Sequence, residues 1–219
     1  KEYLLNSGLK SLILGVSGGI DSALTAALAR PVCDETDVKL ICRSITISTN
    51  KPDEIARAGK IGKTYGHDFR EVNLSETFDR IIPGIIEDYK QTDTSEFSYK
   101  IRQGNVKARM RMIYLYDLAG KYRGMVLSTD NYTELLLGFW TLHGDVGDYG
   151  MIQNIWKTEV YGMARYMVQH SEGSDQAEAL KECIDAVPTD GLGITNSDLD
   201  QIGAATYEEV DQILIKYLK

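Results

Sequence analysis

The chain has 219 residues, of which 43% are hydrophobic and 26% are charged. This composition suits one globular domain spanning residues 1–219, with enough interior for a sizeable core, and it is not that of a disordered chain. The formal net charge of −8 argues against a nucleic-acid-binding surface. No uninterrupted apolar run approaches the roughly 20 residues that span a bilayer, so we expect no membrane association.

The three cysteines match neither a disulfide framework nor a zinc site, because their number is odd and their spacing is irregular. They are Cys33, Cys42 and Cys183. No secretory signal is visible. We therefore expect a reducing compartment, the cytoplasm, in which thiols remain free.

The first predicted element in chain order is a buried strand, 12–16, which runs through two glycines straight into an Ala- and Leu-rich helix. The glycines allow a sharp turn, and the backbone N–H groups of such a loop and of the following helix start can bind an anion. Ser17 and Ser22 supply hydroxyl donors, and Asp21 is able to hold a metal ion on phosphates. The segment 17–22, Ser-Gly-Gly-Ile-Asp-Ser, therefore predicts a phosphate or pyrophosphate site.

Two familiar phosphate loops are excluded at this position. A Walker A loop requires Gly-Lys-Ser/Thr, and no lysine lies between Lys10 and Lys39. The dinucleotide fingerprint requires three glycines at G-x-G-x-x-G spacing, which Gly15, Gly18 and Gly19 do not provide. The remaining pattern, SGGIDS, resembles the pyrophosphate loop of the ATP pyrophosphatases, which cleave ATP between its α- and β-phosphates. From these residues alone, an ordinary strand-to-helix turn is the alternative.

Further along the chain, β-prone apolar runs alternate with helical patterns. We predict strands over 38–47, 69–72 and 124–128. We predict helices over 52–65, 75–89 with a kink at Pro83 and Gly84, 105–119, 133–140, 157–168 and 207–218, and a loop over 143–150. This alternation indicates an α/β fold, a doubly wound, Rossmann-like parallel sheet with helices on both faces. Ligands of such sheets bind at the carboxyl ends of the strands, so the loops after the first, second and fourth strands should line one crevice.

Four further segments carry a more specific resemblance. They are 104–112 (GNVKARMRM), 127–139 (LSTDNYTELLLGF), 144–148 (GDVGD) with the following Trp156-Lys157-Thr158, and 187–190 (VPTD). Together with SGGIDS they resemble NAD synthetase over most of the chain, from about Leu12 to Leu214. The resemblance implies the adenine nucleotide alpha hydrolase type of fold and a homodimeric ligase. It also implies a reaction in which ATP adenylates the nicotinate carboxylate of deamido-NAD with release of pyrophosphate, and ammonia then displaces AMP.

The same resemblance implies an ATP site and a magnesium site, position by position. The phosphate loop corresponds to Gly15, Val16, Ser17, Gly18, Gly19, Ile20, Asp21 and Ser22. Asp21 and Glu134 correspond to the Mg²⁺ ligands, two hard oxygen donors from different loops. Thr129, Lys157 and Thr189 correspond to further ATP contacts, with Lys157 as a positive charge against phosphate.

The resemblance also implies contacts to deamido-NAD at Arg109 and at Asp148, the latter through a loop that is one residue shorter here. Asp21, Glu134, Lys157 and Asp148 form the predicted catalytic set, with Asp148 as the candidate base for ammonium. From the residues alone, Arg109 and Lys157 could equally be solvated surface residues. Similarly, Glu134 could simply favour a helix dipole, and the aspartates of the 143–150 loop could be ordinary turn residues.

The chain departs from the family pattern at two places that concern the dinucleotide. Leu142 stands where many members carry lysine, and no C-terminal His-Lys segment is evident before Lys219. No glutaminase pattern is recognisable, so we expect free ammonia as the nitrogen donor. Two alternatives remain: another ATP pyrophosphatase that amidates or thiolates a different acceptor, as a GMP-synthetase-like enzyme does, and a non-catalytic adenine-nucleotide-binding module.

Overall fold

The computed structural model of the chain describes residues 1–87, 96–171, 173–189, 194 and 197–218. Its strands are β1 Ser11–Gly15, β2 Lys39–Thr46, β3 Asp68–Asn73, β4 Gly124–Ser128 and β5 Tyr149–Gly150. Within these described ranges they form one sheet with the order β3-β2-β1-β4-β5, and every pairing is parallel. The strand that leads into the predicted phosphate loop is therefore the central one.

The strands carry apolar side chains on both faces, which is why helices cover the sheet from both sides. Leu12 and Leu14 of β1 pack in one hydrophobic cluster, whereas Ile13 between them packs in another on the opposite face. In β2, Leu40 and Ile41 divide in the same way. Successive side chains of a strand point to opposite faces, so each of these strands contributes to two cores.

Helices make up most of the rest of the described chain, and loops connect them to the strands. They are α1 Glu2–Ser7, α2 Ile20–Thr36, α3 Pro52–Tyr65, α4 Ser75–Ile85, α5 Glu96–Tyr122, α6 Tyr132–Leu137, α7 Lys157–His170, α8 Ser174–Ile184, α9 Asp198–Ile202 and α10 Tyr207–Tyr217. Helix α2 packs against β1 and β2, and α3 packs against β2 and β3. Helices α7 and α8 both pack against α2, and α8 also packs against α3. Helix α5 packs against β1 and β4 with its Leu118 and Ala119 in the second cluster. The predicted doubly wound α/β fold is confirmed.

Most predicted elements are present, with differences at their ends. The helix predicted over 52–65 has these bounds, with Pro52 at its start, where the missing N–H costs nothing. Helix α5 is longer than predicted at both ends. Helix α4 ends at Ile85 with Pro83 in its last turn, and residues 88–89 of the longer predicted helix lie outside the described residues. Helix α6 ends at Leu137 rather than at 140, because Gly138 adopts a left-handed φ of 65° that closes the helix.

Three short helices and one strand were not predicted. The helices are α1, α8 and α9, and the strand is β5, which lies inside the segment predicted as a loop. A two-residue strand carries no periodicity that a sequence pattern could reveal. Across the described ranges, no helix has the length and hydropathy of a membrane span.

Candidate active site

The phosphate loop follows the central strand and is organised by its two serines. The Oγ atom of Ser22 accepts from the backbone N–H of Ser17 at 3.2 Å and donates to the carbonyl oxygen of Gly19 at 3.1 Å. The N–H of Gly19 in turn donates to Oγ of Ser17 at 3.2 Å. These bonds curl the loop over the start of α2, where unpaired N–H groups and the helix dipole favour an anion. The sequence prediction of an anion-binding turn is therefore supported by the loop geometry.

Gly18 is required at its position for two reasons. Its φ is +85°, which side chains other than glycine rarely adopt, and a Cβ atom there would lie 2.4 Å from the carbonyl oxygen of Glu54. The loop thus packs directly on the first turn of α3. The Nε atom of Arg57 completes this contact by donating to the carbonyl oxygen of Gly18 at 3.1 Å.

A buried charge cluster lies immediately beyond the loop. The Nζ atom of Lys157 is 2.5 Å from Oδ2 of Asp21 and 3.0 Å from Oε1 of Glu134. Only 2% of the Lys157 side chain is exposed, against 16% and 15% for the two carboxylates. The cluster, which we call the Lys157 triad, joins the starts of α2, α6 and α7. The sequence predicted that these three residues share a site, and the geometry brings them into contact.

Asn131 holds the triad together and was missed by the sequence reasoning. Its Nδ2 donates to Oδ1 of Asp21 at 2.9 Å, while its Oδ1 accepts from the N–H of Glu134 at 3.0 Å. It is the N-cap of α6, and Glu134 stands three residues later, so the two form a capping box. The Asn-x-x-Glu spacing was the sequence signal that could have revealed it.

A second unpredicted residue, Asp211 of α10, fixes the start of α7. Its Oδ1 accepts from the hydroxyl of Thr133 at 2.5 Å, and its Oδ2 accepts from the N–H of Thr158 at 2.9 Å. The Thr133 hydroxyl oxygen also accepts from the N–H of Lys157 at 2.8 Å. Helices α6, α7 and α10 are thereby joined around the triad. No local sequence pattern links residues so far apart.

The electrostatics of the triad follow from its burial. Removal from water raises the pKa of Glu134 to about 7, against the opposing attraction of Lys157. Burial alone would lower the pKa of Lys157, but the adjacent Asp21 and Glu134 raise it well above its ordinary value. Lys157 is therefore a permanent cation in the pocket. When Glu134 is ionised, one ammonium faces two carboxylates, and the triad can accept a further positive charge.

One pocket of about 450 Å³ collects the predicted ATP residues at the carboxyl ends of the strands. Its lining includes Gly15, Val16, Ser17, Gly18, Gly19, Ile20, Asp21, Ser22, Thr129, Glu134, Lys157 and Thr189. Thr189 is held there by its hydroxyl, which donates to Oε1 of the buried Glu54 at 2.8 Å. The structure brings this whole predicted set together. Glu54 and Arg57 of α3 also line the pocket and were not predicted.

The two predicted dinucleotide contacts lie elsewhere. Arg109 is exposed, and its Nε donates to the carbonyl oxygen of Leu142 at 3.2 Å. Asp148 accepts from the hydroxyl of Tyr116 at 2.9 Å and from the N–H of Val126 at 2.8 Å, and it is not among the residues that line the pocket. Their functional roles stay predictions.

A different aspartate of the same loop faces the pocket. Asp145 is in the lining, and its Oδ2 accepts from the N–H of Thr141 at 2.7 Å. Burial raises the pKa of its carboxyl, with the nearby charge of Asp130 acting in the same direction and Arg111 opposing it. Of the two loop aspartates, Asp145 rather than the predicted Asp148 lines the cavity.

A doubly wound parallel sheet with a glycine-rich phosphate loop after its central strand defines an α/β nucleotide-binding protein. Comparison with known families specifies the class further. The family model described as NAD synthase matches residues 1–219, and the chain belongs to this family. It is an enzyme, an ATP-using ligase of NAD biosynthesis that forms a carbon–nitrogen bond.

Individual relatives agree with the family match. The chain is 32% identical to an NH3-dependent NAD⁺ synthetase of Trichlorobacter lovleyi over 217 residues, which cover 99% of this chain and 71% of the relative. It is 29% identical to a glutamine-dependent NAD⁺ synthetase of Aquifex aeolicus, of which it covers 36%. The solved structure of an NMN synthetase from Francisella tularensis superposes with a TM-score of 0.78 at 25% identity, covering 98% of this chain and 82% of that one.

Proposed function

We propose that the protein amidates the nicotinate carboxylate of deamido-NAD, using ATP to activate the carboxylate and ammonia as the nitrogen donor. The observation that carries the proposal is the Lys157 triad at the edge of the SGGIDS loop. It combines a phosphate-binding turn with two acids and a lysine drawn from three separate helix starts. An ordinary strand-to-helix turn requires no such convergence.

The chemistry of the site suits adenylation of a carboxylate. A carboxylate oxygen attacks the α-phosphorus of ATP, and the bond from that phosphorus to the oxygen bridging the α- and β-phosphates breaks, so the electron pair leaves with pyrophosphate. Ammonia then adds to the acyl carbon, AMP departs, and the extra proton must be accepted. The N–H groups at the start of α2 and the Lys157 ammonium stabilise the charge that develops on the phosphates. The loop and Thr129 position the nucleotide.

Magnesium fits the donors that the chain offers. Asp21 and Glu134 both contact the Lys157 ammonium, so their oxygens lie near each other at the loop. Mg²⁺ is commonly bound by one or two carboxylates together with substrate phosphates, and it neutralises phosphate charge when bound. We propose these two residues as its ligands.

For the acceptor, Arg109 and the aspartates of the 143–150 loop are the proposed contacts. Asp145 lines the pocket and is the better-placed candidate to accept a proton from ammonium or from the tetrahedral adduct. Asp148 already receives two hydrogen bonds from the protein. We therefore propose Asp145 beside the predicted Asp148 for this role.

A second acceptor is favoured by one observation. The solved structure of an NMN synthetase from Francisella tularensis matches 98% of this chain with a TM-score of 0.78. Nicotinate mononucleotide carries the same carboxylate and lacks the adenylate half. Assays should therefore offer both acceptors side by side.

A homodimer and a cytoplasmic location complete the proposal. The exposed apolar side chains of Ile113 in α5 and Tyr149 in β5 support contact with a second copy of the chain. Cys33, Cys42 and Cys183 are free and buried, which supports a reducing compartment.

The test is product analysis with purified protein, magnesium, ATP, each acceptor and either ammonium or glutamine. We expect AMP and pyrophosphate in equal amounts with the amide, and turnover with ammonium. ADP and phosphate as the main products would reject the reaction. Xanthosine monophosphate as the preferred acceptor would favour the GMP-synthetase-like alternative, and nucleotide binding without turnover would favour the non-catalytic one.

The magnesium assignment has its own test. Glu134→Gln keeps the shape of the side chain and removes its charge, so we expect it to need a higher magnesium concentration for half-maximal activity. The matched control is Glu159→Gln, because Glu159 caps the N–H of Trp156 at the start of α7 as Glu134 caps that of Asn131. An unchanged magnesium titration for Glu134→Gln would reject the assignment.

A further inference from the structure

Arg57 lines the pocket, and the reaction proposed above assigns it no role. It lies in the second turn of α3, and its side chain is 15% exposed. Its Nε donates to the carbonyl oxygen of Gly18 at 3.1 Å, and its Nη1 donates to Oδ2 of Asp53 at 2.8 Å. Its Nη2 group donates to no residue of the described ranges. The guanidinium is therefore fixed at the phosphate loop with donors still available.

Nearby carboxylates neutralise the charge of Arg57 less than they neutralise the charges of Lys157 and Arg43, which line the same pocket. Lys157 is held by two carboxylates in the buried triad, and Arg43 is almost fully buried and hydrogen-bonded to Asp68 through both Nη atoms. The partner of Arg57, by contrast, is Asp53, whose side chain is 65% exposed. Water screens such a pair, so much of the positive potential of Arg57 is available to an anion in the pocket.

The position of Arg57 is set before any ligand arrives. Gly18 packs directly on the carbonyl oxygen of Glu54, and the carboxylate of Glu54 receives hydrogen bonds from the Thr189 hydroxyl and from the N–H of Lys51. The start of α3 is thus joined to the loop on one side and to the Thr189 segment on the other. A guanidinium held in this way loses little conformational freedom when it binds phosphate.

We propose that Arg57 binds the terminal phosphates of ATP and hence the pyrophosphate leaving group. This inference rests on the proposed function and extends it to the departing half of the nucleotide. When the bond between the α-phosphorus and the bridging oxygen breaks, the electron pair stays on pyrophosphate. The planar guanidinium, bonded to the middle of the SGGIDS loop, supplies forked donors and charge to these oxygens.

The experiment compares Arg57→Ala and Arg57→Lys with wild type by calorimetric titration of inorganic pyrophosphate, ATP and AMP in the presence of magnesium. We expect Arg57→Ala to weaken the binding of pyrophosphate and ATP by about tenfold or more, because a hydrogen bond to a charged group is lost. AMP, which lacks the terminal phosphates, should bind with unchanged affinity. Arg57→Lys should show a smaller loss with the same selectivity.

Arg30→Ala is the matched control. Arg30 also pairs with an acid one helical turn away, Asp34, and donates to a backbone carbonyl, that of Tyr65, but it does not line the pocket. It should leave all three affinities unchanged.

Two outcomes would overturn the proposal. One is unchanged pyrophosphate affinity in Arg57→Ala. The other is an equal loss for pyrophosphate and AMP, which would mean that Arg57 only shapes the loop through Gly18. If Arg57→Ala does not fold, the same comparison of pyrophosphate and AMP affinities is made with Arg57→Lys. Failure of the proposed function is separate, because it would appear as ADP release by the wild-type protein, whatever the variants bind.

Discussion

The charge balance of the pocket depends on a single residue, Lys157, whose ammonium faces two carboxylates away from water. Replacing it by methionine keeps most of the side-chain volume and leaves Asp21 and Glu134 without a cation. Removing one partner of a buried ion pair typically costs about 3–5 kcal/mol. We expect Lys157→Met to lose stability in this range, measured by urea unfolding, and to lose ATP turnover.

Lys60→Met provides the comparison for this prediction. Lys60 also contacts two carboxylates, those of Glu178 and Glu182, but all three side chains are open to solvent on the outer surface of α3 and α8. Water already screens its charge, so we expect only a small change in the free energy of unfolding. Equal losses of unfolding free energy in Lys157→Met and Lys60→Met would show that burial does not determine how much the Lys157 triad stabilises the protein.

A second prediction at this scale concerns the close approach at Gly18. Gly18→Ala places a Cβ atom on the carbonyl oxygen of Glu54 and should displace the phosphate loop from α3. Gly8 has a similar φ of +70° but open space around it, so Gly8→Ala carries only the backbone strain of about 1–2 kcal/mol. We expect Gly18→Ala to lose more stability and also to raise the KM for ATP. A KM equal to that of Gly8→Ala would contradict this account.

At the scale of elements, the 143–150 loop joins the edge of the sheet to α5. Asp148 accepts from Tyr116 of α5 and from the N–H of Val126 in β4, immediately before the short β5 strand. Burial raises the pKa of the Tyr116 hydroxyl to about 12, and its bond to Asp148 adds to the effect. The carboxylate therefore links two elements as well as being a predicted dinucleotide contact.

These two roles of Asp148 are separable by experiment. If Asp148 acts mainly by joining α5 to β4, Asp148→Asn should lower the free energy of unfolding by about 1–3 kcal/mol. The amide has only one acceptor oxygen, so either the Tyr116 hydroxyl or the Val126 N–H loses its acceptor. Tyr116→Phe should cost less, and the double variant should cost less than the sum of the two. Asp145→Asn should instead lower kcat with little effect on stability. A loss of kcat in Asp148→Asn at unchanged stability would favour Asp148 over Asp145 as the proton acceptor.

Much of the fold was predictable from the sequence because its signals are local. A run rich in β-branched residues marked β2, a short apolar run marked β4, and Pro52 marked the start of α3. The ends of α5 and the presence of β5 were not predictable. The edge pairing of β5 depends on Gly147, whose hydrogen allows the chain to pass the backbone of Ser128, where a Cβ atom would lie 2.5 Å from the nitrogen. That contact is invisible in a linear sequence.

The residues of the site also divide into those in local sequence motifs and those that only the fold brings together. The loop, Glu134, Lys157 and Thr189 were predicted because they lie in motifs that resemble a family. Glu54 and Arg57 were missed because their roles arise from packing between distant segments. Asn131 was missed although its capping spacing with Glu134 is local, and only the fold shows its contact with Asp21. Sequence reasoning therefore identified the residues of the motifs, whereas the residues that hold or supplement them required the fold.

At the scale of the whole molecule, the choice of ammonia as nitrogen donor predicts how activity depends on pH. Ammonium has no lone pair, so the nucleophile is free ammonia. At fixed total ammonium its concentration rises about tenfold per pH unit while ammonium predominates. We expect kcat/KM for total ammonium to rise with pH until the protein or its metal site fails, measured as AMP release at saturating ATP and acceptor. A flat profile over a range in which the protein stays folded would indicate that ammonium itself is bound and deprotonated in the pocket.

The composition of the Lys157 triad has a consequence for how the protein is made. Asp21 and Lys157 are separated by 136 positions, so their contact closes a long loop and carries the conformational-entropy cost of that closure. During synthesis from the N-terminus, Asp21 and Glu134 emerge before the lysine that neutralises them. A nascent chain that stops before α7 thus carries the two acids of the triad without the lysine that pairs with them. We therefore expect the charge complement of the nucleotide pocket to be complete only once α7 docks on α2.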